Sequence, residues 1–178
     1  MVALALGLSQ LAAADPAEIR DEVLLVTSPQ GYKVGFQAQQ RDRSRITEMV
    51  PAAETVESWT EMVTVQTFPG LRATAEQFES HLIKDWRGAC PEADYQRIAQ
   101  GTEAGYPFVL WLLSCPLNKA SGKPEITWFK AIRGNDSFYV VQKAFRFAPS
   151  REQISTWMAF LRDARVCDTR LPDRPCPK

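Results

Sequence analysis

Histidine is almost missing from this chain, which has one, His81, in 178 residues, and its four cysteines include no Cys-x-x-Cys pair. A closed zinc site therefore cannot be assembled from the usual ligands. A Ser-His-acid triad would have to use His81 as its base, and no serine stands in a Gly-x-Ser-x-Gly elbow. Net charge is missing too. The 21 basic residues balance the 21 acidic ones, so no field gathers nucleic acid or an anionic membrane surface. No apolar run reaches the roughly 20 residues of a membrane-spanning helix. Gly122-Lys123 fails as a phosphate loop, because Leu117 stands where its first glycine belongs and Pro124 follows the lysine. Glu54 with Glu57, and Glu76 with Glu79, are the paired carboxylates. The second pair reads as charge matched to a helix N-terminus, with a glycosidase-type acid pair as the alternative. No cofactor or metal ligand set emerges.

What the chain does have is strand pattern. Ile126 to Phe147 reads as a β-hairpin: Ile126, Trp128 and Ile132 share one parity of the first run, and Tyr139, Val141, Phe145 and Phe147 one parity of the second. Gly134, Asn135 and Asp136 tolerate positive φ and are expected to make the turn. Lys130, Arg133, Lys143 and Arg146 are assigned to a second face that meets water. Upstream, 22–27, 32–38, 46–50 and 58–68 read as strands, the second half-buried through Tyr32, Val34 and Phe36. Residues 95–100 form a weak strand. Phe108 to Leu113 is apolar at every position, which places it in the middle of a sheet. Leu117 to Glu125 reads as a polar loop.

Two helices carry the same start signal. Thr74 with Gln77, and Ser150 with Gln153, each satisfy the capping-box spacing. Ala75, Phe78, Leu82 and Trp86 make one apolar stripe, and Ile154, Trp157, Met158, Leu161 and Ala164 the other. A single stripe per helix predicts helices lying on a sheet. The expected fold is α+β, a mainly antiparallel sheet carrying two amphipathic helices in one domain, residues 15–167. A Pro-rich irregular tail, 168–178, follows. At this length about 70% of the unfolded surface can be buried in one core. Four tryptophans, Trp86, Trp111, Trp128 and Trp157, fall on core faces, which leaves Trp59 as the candidate partner contact. The loops 41–45, 52–58 and 117–125 are the expected contact loops.

Residues 1–14, from Val2 to Leu8 and then Leu11-Ala-Ala-Ala14, read as a signal-peptide remnant that lacks the basic leading region, as if the start lay further upstream. No cysteine follows to take a lipid. The mature chain is expected to be periplasmic or secreted, where an even number of cysteines pairs. Of three connectivities, Cys90–Cys115 is favoured because the first helix ends at Cys90 and the strand it covers ends at Cys115. Cys167–Cys176 then closes the tail on the second helix.

The stretch Val50-Pro-Ala-Ala-Glu-Thr-Val-Glu-Ser-Trp-Thr-Glu-Met-Val-Thr-Val-Gln66 resembles a signature of small uncharacterised secreted proteins of proteobacteria. The order of elements resembles the PsbP/Mog1/DcrB-type α+β sandwich. The first resemblance implies an exported protein and brings no catalytic residues; the second implies topology alone. The expected function is a non-enzymatic protein-binding or envelope-associated module. A small apolar-ligand carrier is the first alternative, and a hydrolase with an unrecognised site the second.

Overall fold

The structure is a computed structural model and describes residues 21–177. The apolar leader at 1–14 lies outside the described residues. In chain order the elements are β1 (Glu22–Leu25), β2 (Tyr32–Gln39), β3 (Arg45–Pro51), β4 (Glu61–Pro69), α1 (Ala75–Ala89), β5 (Asp94–Glu103), β6 (Tyr106–Asn118), β7 (Lys123–Arg133), β8 (Ser137–Phe145), α2 (Arg151–Asp163) and β9 (Arg165–Asp168). Seven strands form one antiparallel sheet in the order β2-β3-β4-β8-β7-β6-β5, and β1 pairs with β9 in a separate ribbon. Both helices begin as their sequences dictate. Thr74 and Ser150 each accept the N3 amide, and Gln77 and Gln153 return a bond to the cap. No helix among the described residues is long and apolar enough to cross a membrane.

Each helix covers a different face of the sheet. On one face Val109, Trp111, Leu113, Phe129, Ala131, Phe138 and Val140 are buried under Phe78, Leu82 and Trp86 of α1. Trp111 stacks on Phe129 at 5.1 Å, and Phe78 packs 5.0 Å from Phe138. On the other face Val63, Leu110, Trp128, Val141 and Phe145 meet Trp157, Met158 and Leu161 of α2. The all-apolar run of β6 feeds both faces, as its pattern requires. It is interior but one strand from the edge, and β8 is the centre of the sheet.

The hairpin corrects the reading of its lysines. Lys130 and Lys143 share the parity of Trp128 and Phe145, and both are buried, at 1% and 0% exposure, rather than facing water. Lys130 Nζ donates to Glu103 and to the carbonyls of Arg162 and Ala164 at 3.2 and 2.8 Å, so it satisfies the last turn of α2. The turn itself uses no positive φ at residues 134 to 136. Gly134 is required for closeness instead: a Cβ there would run into the Glu22 carboxylate and the Ser137 carbonyl. Glu22 Oε1 accepts from the amides of Asp136 and Ser137 at 3.1 Å, and its other oxygen accepts from Asn135. A carboxylate of β1 thus caps the tip of a hairpin more than 110 residues away.

Residues 117–125 are a tight hairpin between β6 and β7, with Gly122 at φ +66°, rather than a loop. The edge strands β2 and β5 each carry a bulge, which spoils them as templates for further pairing. At the bulge in β2, Phe36 pairs with Glu48 rather than continuing the alternation, and Val34 and Phe36 remain 55% and 44% exposed, so this strand is not half-buried. Disulfides join Cys90 to Cys115, with Cα atoms 6.1 Å apart, and Cys167 to Cys176, at 5.0 Å. The tail is folded onto the body. The Asp168 amide donates to the Arg174 carbonyl, and the Arg174 guanidinium lies over the Tyr106 ring.

Candidate functional site

Strongly perturbed ionisable groups mark one place to look. Lys143 Nζ donates to the Tyr32 hydroxyl and to Glu61 Oε2, both at 2.7 Å, and lies 3.7 Å from the Trp157 ring centroid and 4.4 Å from that of Phe145. Burial pushes its pKa down to about 8, against the pull of Glu61. Burial and Glu61 together push the Tyr32 hydroxyl up. Tyr32 comes from β2, Glu61 from β4, Lys143 from β8 and Trp157 from α2, so the cluster ties an edge strand, the sheet centre and a helix. Its polar atoms answer one another, Lys143 donating to Tyr32 and Glu61 and Tyr32 to Glu61. It is built as a strut.

The other place is the part of the α1 face that α1 does not reach. There β3, β4, β7 and β8 leave an open hollow of about 300 Å³, lined by Ile46, Glu48, Trp59, Thr64, Gln66 and Gln142 among others. Polar residues here occupy the parity that carries aromatics further along the same strands. Gln142 Nε2 donates to Gln66 Oε1 at 2.7 Å, which leaves the Gln66 amide hydrogens and the Gln142 carbonyl free for a ligand. Thr127 also lines the hollow, and its buried hydroxyl has no hydrogen-bond partner among the described residues. A buried unpaired hydroxyl costs about 1–3 kcal/mol, a cost that a bound polar group would relieve. Burial holds the Glu48 carboxyl above its ordinary pKa, and no basic side chain pairs with it among the described residues. Val56, Met62 and Ala144 make the apolar end.

The residues singled out in the sequence are dispersed. Trp59, the candidate partner contact, lines the hollow as a wall 7% exposed, with the Arg146 guanidinium 3.7 Å over its ring. His81 stands on the surface of α1, 3.3 Å from Asp85. Glu79 is no exposed helix-start charge: it is buried and accepts from the Tyr95 hydroxyl at 2.7 Å and from Arg97. Glu54 caps a turn by accepting from the Thr60 amide and hydroxyl. Of the expected contact loops, 52–58 reaches the hollow through Val56 and 117–125 through Glu125, while 41–45 does not line it. No group of three His, Cys, Asp or Glu residues among the described residues is placed to hold a metal ion. Glu48, Gln66, Thr127 and Gln142 were missed. The signal was available in the parity of β4, where Thr64 and Gln66 alternate with Val63 and Val65, but polar alternation alone reads as plain solvation.

No protein-family model matches the chain, and no curated protein matches it. Among solved structures it is similar to the Ran-binding protein Mog1p of Saccharomyces cerevisiae, at 13% identity and a TM-score of 0.46, over 80% of this chain and 84% of that one. It is also similar to the cyanobacterial PsbP protein (CyanoP) of Synechocystis, at 10% identity and a TM-score of 0.43, over 86% of this chain and 95% of that one. Both have the arrangement that the element order resembled. At these values the likeness is one of fold and brings no activity or partner to this chain.

Proposed function

We propose that the protein is a non-enzymatic binding module that works outside the cytoplasm and engages a protein partner through the open half of its α1 face. The carrying observation is the floor of the hollow, where among the described residues the buried Thr127 hydroxyl has no partner and the Gln142–Gln66 pair makes one hydrogen bond, on strands paired within the sheet. Sites on rigid strands hold their geometry before a partner arrives, which lowers the ordering cost of binding. Two disulfides and the apolar, Ala-ending start of the chain support the compartment. The perturbed ionisable groups are spent on one another in a buried strut, which supports a role without catalysis. A carrier would need an enclosed chamber, and the layers beneath both helices are filled by aromatic and branched side chains.

Site-specific photo-crosslinking tests this reading. A photoreactive residue at Glu48 or Gln66 in the exported protein is expected to capture one and the same protein, and one at the exposed Ala159 of α2 to capture none of it. Equal capture from all three positions, or none from the two in the hollow, would sink the proposal.

A further inference from the structure

A second hollow of about 200 Å³, lined by Asp85, Trp86, Ala89, Cys90, Cys115, Asn118 and Glu125, lies beside the Cys90–Cys115 bridge. The two hollows meet at Glu125, which lines both, and form a groove along the α1 side of the sheet in two parts. Its lining holds three carboxylates, Glu48, Glu125 and Asp85, and neither lysine nor arginine. Arg146 lies behind this lining, its guanidinium stacked 3.7 Å over the Trp59 ring and its buried Nε without a hydrogen-bond partner among the described residues. Glu125 accepts one bond from Asn118 Nδ2, and Glu48 has no cation among the described residues.

The groove is therefore amphipathic in a particular order. Ile46, Val56, Trp59, Met62 and Ala144 supply apolar wall, and the carboxylates with the free Gln142 carbonyl supply acceptors. The bulge in β2 adds Phe36, the cross-strand neighbour of Glu48, as an exposed apolar flank. A long side chain with an apolar stem and a cationic head matches that order, because its stem can lie on apolar surface while its head meets acceptors. An anionic ligand would meet like charge at Glu48 and Glu125, neither of which has a cation paired with it among the described residues.

We propose that the groove takes an arginine or lysine side chain of the partner's segment, its stem on the apolar wall, its head at Glu48, and an adjoining apolar residue against Phe36. This rests on the reading of the open α1 face as the docking surface.

Three capped pentapeptides test it against the full isotope-labelled chain by NMR: leucines flanking a central arginine, its uncharged isostere citrulline, or glutamate. The arginine peptide is expected to shift the Trp59 indole and the Gln66 and Gln142 side-chain amide signals. It is expected to bind at least tenfold more tightly than the citrulline peptide, with the glutamate peptide inert. Glu48→Gln should leave the fold's spectrum intact and bring the arginine peptide down to the citrulline level. Equal binding of the arginine and citrulline peptides in the groove would overturn the charge reading while leaving the docking face standing. If the arginine peptide left those signals unmoved at millimolar concentration, the inference would fall, and the crosslinks from Glu48 and Gln66 would then judge the docking face on their own.

Discussion

Lys143 shows how far one buried charge can be legible only in three dimensions. Its residue type predicts an exposed position because lysine is seldom buried, yet its parity puts it with Tyr139, Val141 and Phe145 on the core side. The structure resolves the conflict in favour of parity by giving the ammonium two oxygen partners and three aromatic rings. Desolvation still lowers its pKa from 10.5 to about 8. Between those values the unfolded chain holds the proton more firmly than the folded one, so this group makes stability rise with pH from about 8 to 10.5. Above the ordinary tyrosine pKa near 10, the raised Tyr32 and Tyr139 work in the opposite direction, because the folded state then holds the extra protons. Denaturant unfolding at pH 7 and pH 9.5 should show a gain on the order of 2 kcal/mol in the parent protein relative to Lys143→Met. A difference that does not change with pH would mean that Lys143 titrates as an ordinary surface lysine.

Elements were more legible than residues, because capping and period are local. Both capping boxes are read from four consecutive residues, and both are formed. Removing either N-cap hydroxyl, Thr74→Ala or Ser150→Ala, should cost about 1 kcal/mol in chemical denaturation. The caps sit on helices packed on opposite faces, so the double variant should lose the sum to within about 0.5 kcal/mol. A much larger combined loss would mean that the two layers couple through the sheet. The strand β9 escaped notice because four residues give too little period to detect, and β6 reads as central though it lies one strand in from β5. An all-apolar run reports that both faces are covered, and a strand next to the edge meets that condition when a helix lies on each side.

At the scale of the molecule, the architecture followed from alternation and two stripes, but the groove did not. It is defined by what α1 fails to cover, and helix length against sheet width is a tertiary quantity. Covalent closure acts on the same scale. The Cys90–Cys115 bridge spans 25 residues and anchors α1 to β6 at the groove's end, while Cys167–Cys176 spans 9 and holds the tail. In the chain-entropy model these loops are worth at most roughly 3.5 and 2.7 kcal/mol. The Cys90→Ala, Cys115→Ala double variant should accordingly lower the unfolding midpoint more than the Cys167→Ala, Cys176→Ala variant. The opposite order in calorimetry would show that the tail carries more of the fold than its length implies. The β1–β9 ribbon gives the molecule a mechanical weak point. Its pairs run from Glu22 with Asp168 to Leu25 with Arg165, so both chain ends leave it at the same end. Tension applied through the two ends would reach β9 at Cys167, because the Cys167–Cys176 bridge carries it past residues 168–175, and would then open the ribbon one hydrogen bond after another, like a zipper, from the Val23–Cys167 pair onward. The ribbon would peel at low force, before load reached the long β4–β8 pairing that forms the groove's floor.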